Sequence, residues 1–267
     1  MLKLTPAYVA AAFLLAAATG CSGSSDSAAP STAPTSSTPS APASTTPPTT
    51  TTATPAATTT TLPTTPPAPS ATTTTRTVKQ LTAALLALAD LPPGVSIDDD
   101  SGAGGPDPVV SSKDSRCAKL VALTNADVPP GSKASASRSF SASEQGPFID
   151  EGLDGMGSPA AVQALQQTLR KAITSCRTLT LSIPGEGKSP ITVREVSAPK
   201  VGSNPVAVRY AATGGPLEGL EITMVTTGVQ DVLVSVTVIA GLPDDITGAT
   251  TAAVQKATKT LGSKSGT

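Results

Sequence analysis

The chain contains no histidine and no tryptophan; aromatic residues make up 2% of it and charged residues 14%. An average soluble protein carries about 25% charged residues. Without histidine there is no imidazole general base, no histidine metal ligand, and no Ser-His-Asp or Cys-His relay. No Gly-x-Ser-x-Gly elbow occurs. Gly187-Lys188-Ser189 has Ser182 where a phosphate loop needs its first glycine. Asp98-Asp99-Asp100 resembles the start of a calcium loop, but the twelfth position is Val109 rather than glutamate, so these acids read as a solvated loop. Neither a metal nor a cofactor is expected.

Proline (26 residues) and glycine (22) are plentiful in the 267 residues, and the proline is unevenly placed. At the N-terminus, Lys3 precedes an apolar run from Ala7 to Ala18, too short to span a bilayer, which reads as an export signal. The run ends in Ala18-Thr19-Gly20-Cys21, followed by serine and glycine. This resembles the lipobox of bacterial lipoproteins, with Ala18 where leucine is more usual. The resemblance implies cleavage after residue 20 and acylation of Cys21, which then anchors the protein to the outer face of the cell membrane. The alternative is an ordinary secretory signal with an incidental cysteine.

Residues 21–75 are almost wholly Ser, Thr, Pro and Ala, with Asp26 the only charge and Leu62 the only large apolar side chain. Such a segment buries too little surface to offset backbone entropy, so a disordered tether is expected, spanning roughly 150 Å at full extension. Its threonine runs are candidate O-glycosylation sites. Residues 76–267 carry 18 acidic and 17 basic residues and read as a single domain. That balance gives no basic stripe, so no nucleic-acid partner is expected. Of three cysteines, Cys117 and Cys176 remain after Cys21 is assigned to lipid. In an exported chain an even pair reads as a disulfide, with two separate buried thiols as the alternative.

Periodicity within the domain is clear. Val78, Leu81, Leu85 and Leu88 predict a helix stopped by Pro92-Pro93-Gly94, and Ser115 to Thr124 predicts a short one with Cys117 inward. Ala134 to Ser143 alternates, with serine at every odd position from 135, as in a half-buried strand; Gly146-Pro147 then turns into a strand from Phe148 to Leu153. Ser158 and Pro159 open a helix ending at Cys176, with Gln163, Gln166, Gln167, Arg170 and Lys171 expected in water. Strands follow at 179–183, 191–196, 206–212, 220–226 and 232–240, the last two forming a hairpin around Gly228, and a helix from Asp244 to Leu261 closes the chain. Short connections require antiparallel pairing. The expected class is α+β, an antiparallel sheet of about five to seven strands with helices on one face.

Leu85 to Gly94, the Cys117 segment, the helix ending in Cys176 and the valine-rich strand Val232 to Ile239 together resemble a group of actinobacterial exported lipoproteins. These in turn resemble the extracytoplasmic sensor domain of a mycobacterial serine/threonine kinase. The resemblance implies a cleft between sheet and helices and a non-catalytic, sensor-like binding role; the second disulfide typical of that pattern is missing here. Arg138 in the apolar register of its strand, near Phe140, and Arg209 beside Tyr210 are the candidate ligand-binding residues. The expected partner is a small apolar ligand or, on the alternative reading of a structural module, a cell-envelope protein. A carboxylate-based hydrolase ranks third, since Asp150, Glu151, Asp154, Glu218 and Glu221 read as turn and surface residues and aromatic platforms are few.

Overall fold

A computed structural model describes residues 75–98 and 107–262. The signal segment, Cys21, the tether and most of the acidic loop lie outside the described residues. The described elements are α1 (Val78–Ala84), β1 (Ser96–Ile97), β2 (Val109–Ser111), α2 (Ala118–Thr124), β3 (Ala134–Ser141), β4 (Phe148–Gly155) and α3 (Pro159–Ser175), then β5 (Thr178–Ile183), β6 (Gly187–Val196), β7 (Ser203–Ala212), β8 (Glu221–Val229), β9 (Val232–Ile239) and α4 (Pro243–Leu261). The strands form one antiparallel sheet in the order β1-β3-β4-β9-β8-β7-β6-β5-β2. β5 to β9 are a meander, and β9 returns beside β4. The sheet has nine strands rather than five to seven. The two additional ones, β1 and β2, span two and three residues, too few for any alternation to register in the sequence. They are defined only by pairing with β3 and β5 at the two edges.

The helices cover both faces of the sheet, which corrects the expectation of one. Val232, Val234, Val236 and Val238 of β9 pack with α1 and α4, through residues such as Leu81, Ala253 and Ala257. On the reverse of the same strand Leu233 meets Val162 of α3, and Ile239 joins the cluster that holds Leu120 of α2 and Ile173 of α3. All eight residues of β9 are therefore buried. Successive side chains in a strand point to opposite faces, so one strand has buried its whole surface only because both faces are covered.

Local rules explain the helix termini. The Ser158 hydroxyl accepts from the Ala161 N–H at 3.2 Å and Pro159 opens α3. In α4, Asp245 accepts from the Leu242 N–H at 2.8 Å. The first helix is shorter than predicted: it ends at Ala84, Leu85 is extended, and Leu88–Asp90 forms a separate 3-10 turn. Val78 and Leu88 are exposed, and Leu81, Ala84, Leu85 and Leu86 make the core contacts instead. The second helix also starts late, after a 3-10 turn at Ser115–Cys117. The β8–β9 hairpin turns at Gln230-Asp231, and Gly228 lies within β8, where a Cβ would collide with Ser203.

Cys117 and Cys176 are joined by a disulfide. It ties α2 to the end of α3 within the larger apolar cluster.

Candidate functional site

The β3–β4 hairpin, turned at Gly146 with φ 95°, sets the site by its register. Ser139 pairs with Asp150, which pairs with Thr237 of β9; Ser137 pairs with Gly152, which pairs with Ser235; Ser135 pairs with Asp154. The serine alternation of β3, the Asp-x-Gly-x-Asp of β4 and the Ser-x-Thr of β9 therefore fall on one face in adjacent rows. Over them lies a hollow of about 290 Å³, also lined by Asp127 and Val128 from the segment after α2. Gly152 keeps its floor open: a Cβ there would meet only the Ser235 Cβ, at 3.9 Å.

A smaller cavity of about 40 Å³ adjoins this groove. Ser235 lines both spaces, and the chain runs directly from Asp127 and Val128 at the groove to Pro129 and Pro130 at the slot. The slot is otherwise walled by Leu123, Leu165, Leu169, Met224 and Leu233, with Thr124, Gln166 and Thr226 among them. Gln166, expected in water, is 2% exposed and donates from Nε2 to the Ser203 carbonyl at 3.0 Å. Its Oε1 and the Thr226 hydroxyl are buried without a hydrogen-bond partner among the described residues.

Two acids of β4, Glu151 and Asp154, are interior groups and the third, Asp150, is half-buried, rather than the turn and surface residues their sequence context implied. Asp154 and Glu151 are 2% and 1% exposed. Burial pushes the Asp150 carboxyl up to about 6, with a hydrogen bond to Ser139 opposing the rise and the Asp98 charge adding to it. Asp154 is also raised by burial, against hydrogen bonds to Ser135 and Ser132. Four residues of extended strand separate Asp150 from Asp154, about 13 Å. Carboxylate pairs in glycosidases are typically about 5–9.5 Å apart, so these two do not form such a pair.

Glu151 points to the opposite face. Its Oε2 accepts from the Leu86 N–H at 2.7 Å, while its cross-strand neighbour Arg138 donates to the Leu86 carbonyl. The two side chains hold the backbone just beyond α1, where the helix stops. Glu151 Oε1 has no partner among the described residues, and burial lifts this carboxyl to about 7 despite the Leu86 hydrogen bond and the Arg138 charge. A carboxyl raised in the native state binds more protons there than in the unfolded chain. Its contribution is full below the ordinary value of 4.5 and is lost as pH rises through about 7. Urea midpoints measured from pH 4 to 8 are expected to fall across that window, and Glu151→Gln to flatten the profile. An unchanged slope in the variant would assign the dependence to Asp150 and Asp154.

The four residues singled out from the sequence are not gathered at one point. Arg138 borders the groove, but its guanidinium goes to Leu86 on the far face. Phe140 is fully buried on that far face with Leu81 and Leu86. Arg209 lies 3.6 Å from Glu221 at the surface. Tyr210 is inside the other core, its hydroxyl 3.3 Å from that of Thr124, and burial pushes it up to about 12. The residues that do line the groove carried a legible signal, a Ser-x-Ser-x-Ser strand turned back against Asp-x-Gly-x-Asp. Reading it required the hairpin register. No group of three or more metal-ligating side chains occurs among the described residues, and none of their helices is long and apolar enough to cross a membrane.

Fold and site together define an α+β domain with a polar groove on one sheet face. No protein-family model and no curated protein matches the chain. Solved structures similar to it include the extracellular domain of PknH from Mycobacterium tuberculosis, with 15% identity over 70% of this chain and 97% of that one and a TM-score of 0.49. Another is the Rv0999 orthologue of Mycobacterium smegmatis, with 13% identity over 69% and 93% of the two chains and a TM-score of 0.35.

Proposed function

We propose that residues 76–267 are an extracytoplasmic ligand-binding domain, carried on a lipid anchor at Cys21 and a Ser/Thr/Pro tether, and that the groove over β3, β4 and β9 holds the ligand. The observation that carries this reading is the hollow of about 290 Å³ above the Ser–Asp–Thr and Ser–Gly–Ser rows. The half-buried Asp150, raised by burial, sits in this hollow among serine and threonine hydroxyls, where a hydrogen-bond donor from a ligand would favour its charged form. The lining is rich in carboxylates and hydroxyls, and its one cation, Arg138, is engaged elsewhere. Such a surface accepts hydrogen bonds, so the ligand presents donors: hydroxyls or an ammonium group rather than phosphate or carboxylate. The buried disulfide supports an oxidising compartment. The missing histidine and the wide spacing of Asp150 and Asp154 support binding over catalysis.

Gly152→Val tests the groove directly. Valine suits a strand and the new Cβ meets only ordinary contact, so the variant is expected to fold with an unchanged or higher urea midpoint. Its branches occupy the groove floor. Small molecules released from the full chain purified from its own host, identified by mass spectrometry, are expected with the wild type and lost with Gly152→Val. The same molecules on both proteins would remove the groove as the site.

A further inference from the structure

The groove changes character along β4. Asp98 donates from its backbone N–H to the Ser139 carbonyl at 2.9 Å, carrying the β1–β3 pairing one residue further. Asp98, Ser139, Asp150 and Thr237 therefore make one row across the sheet, and residues directly opposite one another share a face. Adjacent strands lie about 4.8 Å apart, so a group seated over Ser139 has a half-buried carboxylate on either side. Burial and the Asp98 charge both disfavour the Asp150 carboxylate, and a cation between the two acids favours the charged form of each. Two residues further along the strands, about 7 Å, the row is Ser137, Gly152 and Ser235, hydroxyls without charge. Ser235 is 7% exposed and lines the hollow, with its Cβ beside the space that Gly152 leaves empty. Its hydroxyl has no hydrogen-bond partner among the described residues, and unlike Gln166 Oε1 and the Thr226 hydroxyl its oxygen is not sealed off. The third row closes the pattern, since Asp154 is 2% exposed and already taken by Ser132 and Ser135.

We propose that the ligand of this groove is an amino sugar or a cyclic amino alcohol of similar size, with its ammonium over Ser139 between Asp98 and Asp150 and its hydroxyls over Ser137, Gly152 and Ser235. The proposal rests on the groove reading above and names the class of molecule that fills it. An amine and the hydroxyls across a six-membered ring reach both rows. Asp127, exposed at the rim, adds to the negative potential that draws a cation in. A plain sugar leaves the two carboxylates without a counter-charge. A linear diamine lying along β4 meets hydroxyls and the enclosed Asp154 where its second ammonium needs an open carboxylate.

The test follows the backbone amides of the full chain by NMR at neutral pH with three probes: glucosamine, glucose and cyclohexylamine. Glucosamine is expected to shift the amides of Ser137, Ser139, Gly152 and Ser235 saturably. It should bind about 10- to 100-fold more tightly than glucose, which carries a hydroxyl in place of the ammonium, the range set by the usual net worth of a hydrogen bond to a charged group. Asp150→Asn keeps the shape of the side chain and removes the charge. It is expected to bring glucosamine down to the glucose level with an unchanged or higher urea midpoint, because burial disfavours the carboxylate it replaces. Ser235→Ala is expected to weaken glucosamine about 2- to 10-fold, the usual worth of one neutral hydrogen bond, and to leave the weaker cyclohexylamine unchanged. Equal affinities for glucosamine and glucose, or a preference that survives Asp150→Asn, would overturn the ammonium seat. Cyclohexylamine matching glucosamine together with a silent Ser235→Ala would overturn the hydroxyl row. Unmoved groove amides with all three probes would overturn the amino-sugar assignment alone, since the groove reading is decided separately by the molecules that Gly152→Val does or does not release.

Discussion

Arg76→Ala is expected to lower the unfolding free energy by about 3–5 kcal/mol, the usual cost of stranding one partner of a buried ion pair. Arg76 forks onto both carboxylate oxygens of Asp231, with Nη2 at 2.7 Å and Nε at 3.0 and 3.2 Å. The same guanidinium donates to the Gln230 side chain at 2.8 Å and to the Leu261 carbonyl at 3.3 Å. One side chain thus ties the entry of the domain to the β8–β9 turn and to the end of α4. The two partners are 11% and 3% exposed, so water cannot substitute for the lost cation. Arg76→Lys keeps the charge but not the planar fork, and it is expected to fall between wild type and alanine. Replacing Arg76 and Asp231 together with leucine removes the stranded charge and is expected to cost less than Arg76→Ala alone. Urea denaturation of the four proteins gives this ranking. A loss below about 1 kcal/mol for Arg76→Ala would class the pair with ordinary surface bridges.

Replacing Cys117 and Cys176 together with alanine is expected to cost about 4 kcal/mol, because the bridge closes a loop across 59 residues and removes that freedom from the unfolded chain. Both sulfurs lie in the larger core cluster between Leu120, Leu169 and Ile173, so lost packing adds to the entropic term. The helices it joins carry the slot, through Leu123 and Thr124 on α2 and Leu165, Gln166 and Leu169 on α3. The alanine variant is therefore expected to lose hydrogen-exchange protection in α2 and α3 at temperatures where far-UV circular dichroism still reports a folded chain. The groove rows, held by strand pairing alone, are expected to keep their backbone protection in hydrogen exchange. Equal midpoints for the oxidised and reduced wild-type protein would refute the structural role of the bridge.

Several features are legible in the sequence alone. The caps of α3 and α4 are local chemistry, in which Ser158 and Asp245 complete their own first turns. The valines of β9 and the core stripe of α4 follow from periods of 2 and 3.6 residues, which a sequence displays directly. The cysteine pair followed from counting and compartment. Each of these depends on residues close in the chain or on chemistry independent of neighbours.

Other features depend on distant segments, whose register the linear pattern does not display. Serines at 135, 137 and 139 look the same whether they face water or a groove. They line a groove because the register places Asp150, Gly152 and Asp154 opposite them, and because residues 127 and 128 arrive beside that face. Gln166 occupies a polar helix position by its spacing and is buried because the Ser203 carbonyl meets it there. The first helix stops at Ala84 because Glu151 and Arg138, 65 and 52 residues further along, compete for the backbone of Leu86. Nothing in the first ten residues of the domain carries that information. Periodicity names which side of an element is apolar, whereas the cover on the other side, and any space left between, is a property of how separate elements meet. That is why the scarcity of histidine, aromatic residues and charge excludes whole classes of chemistry, while the place where a ligand rests emerges from three strands brought side by side.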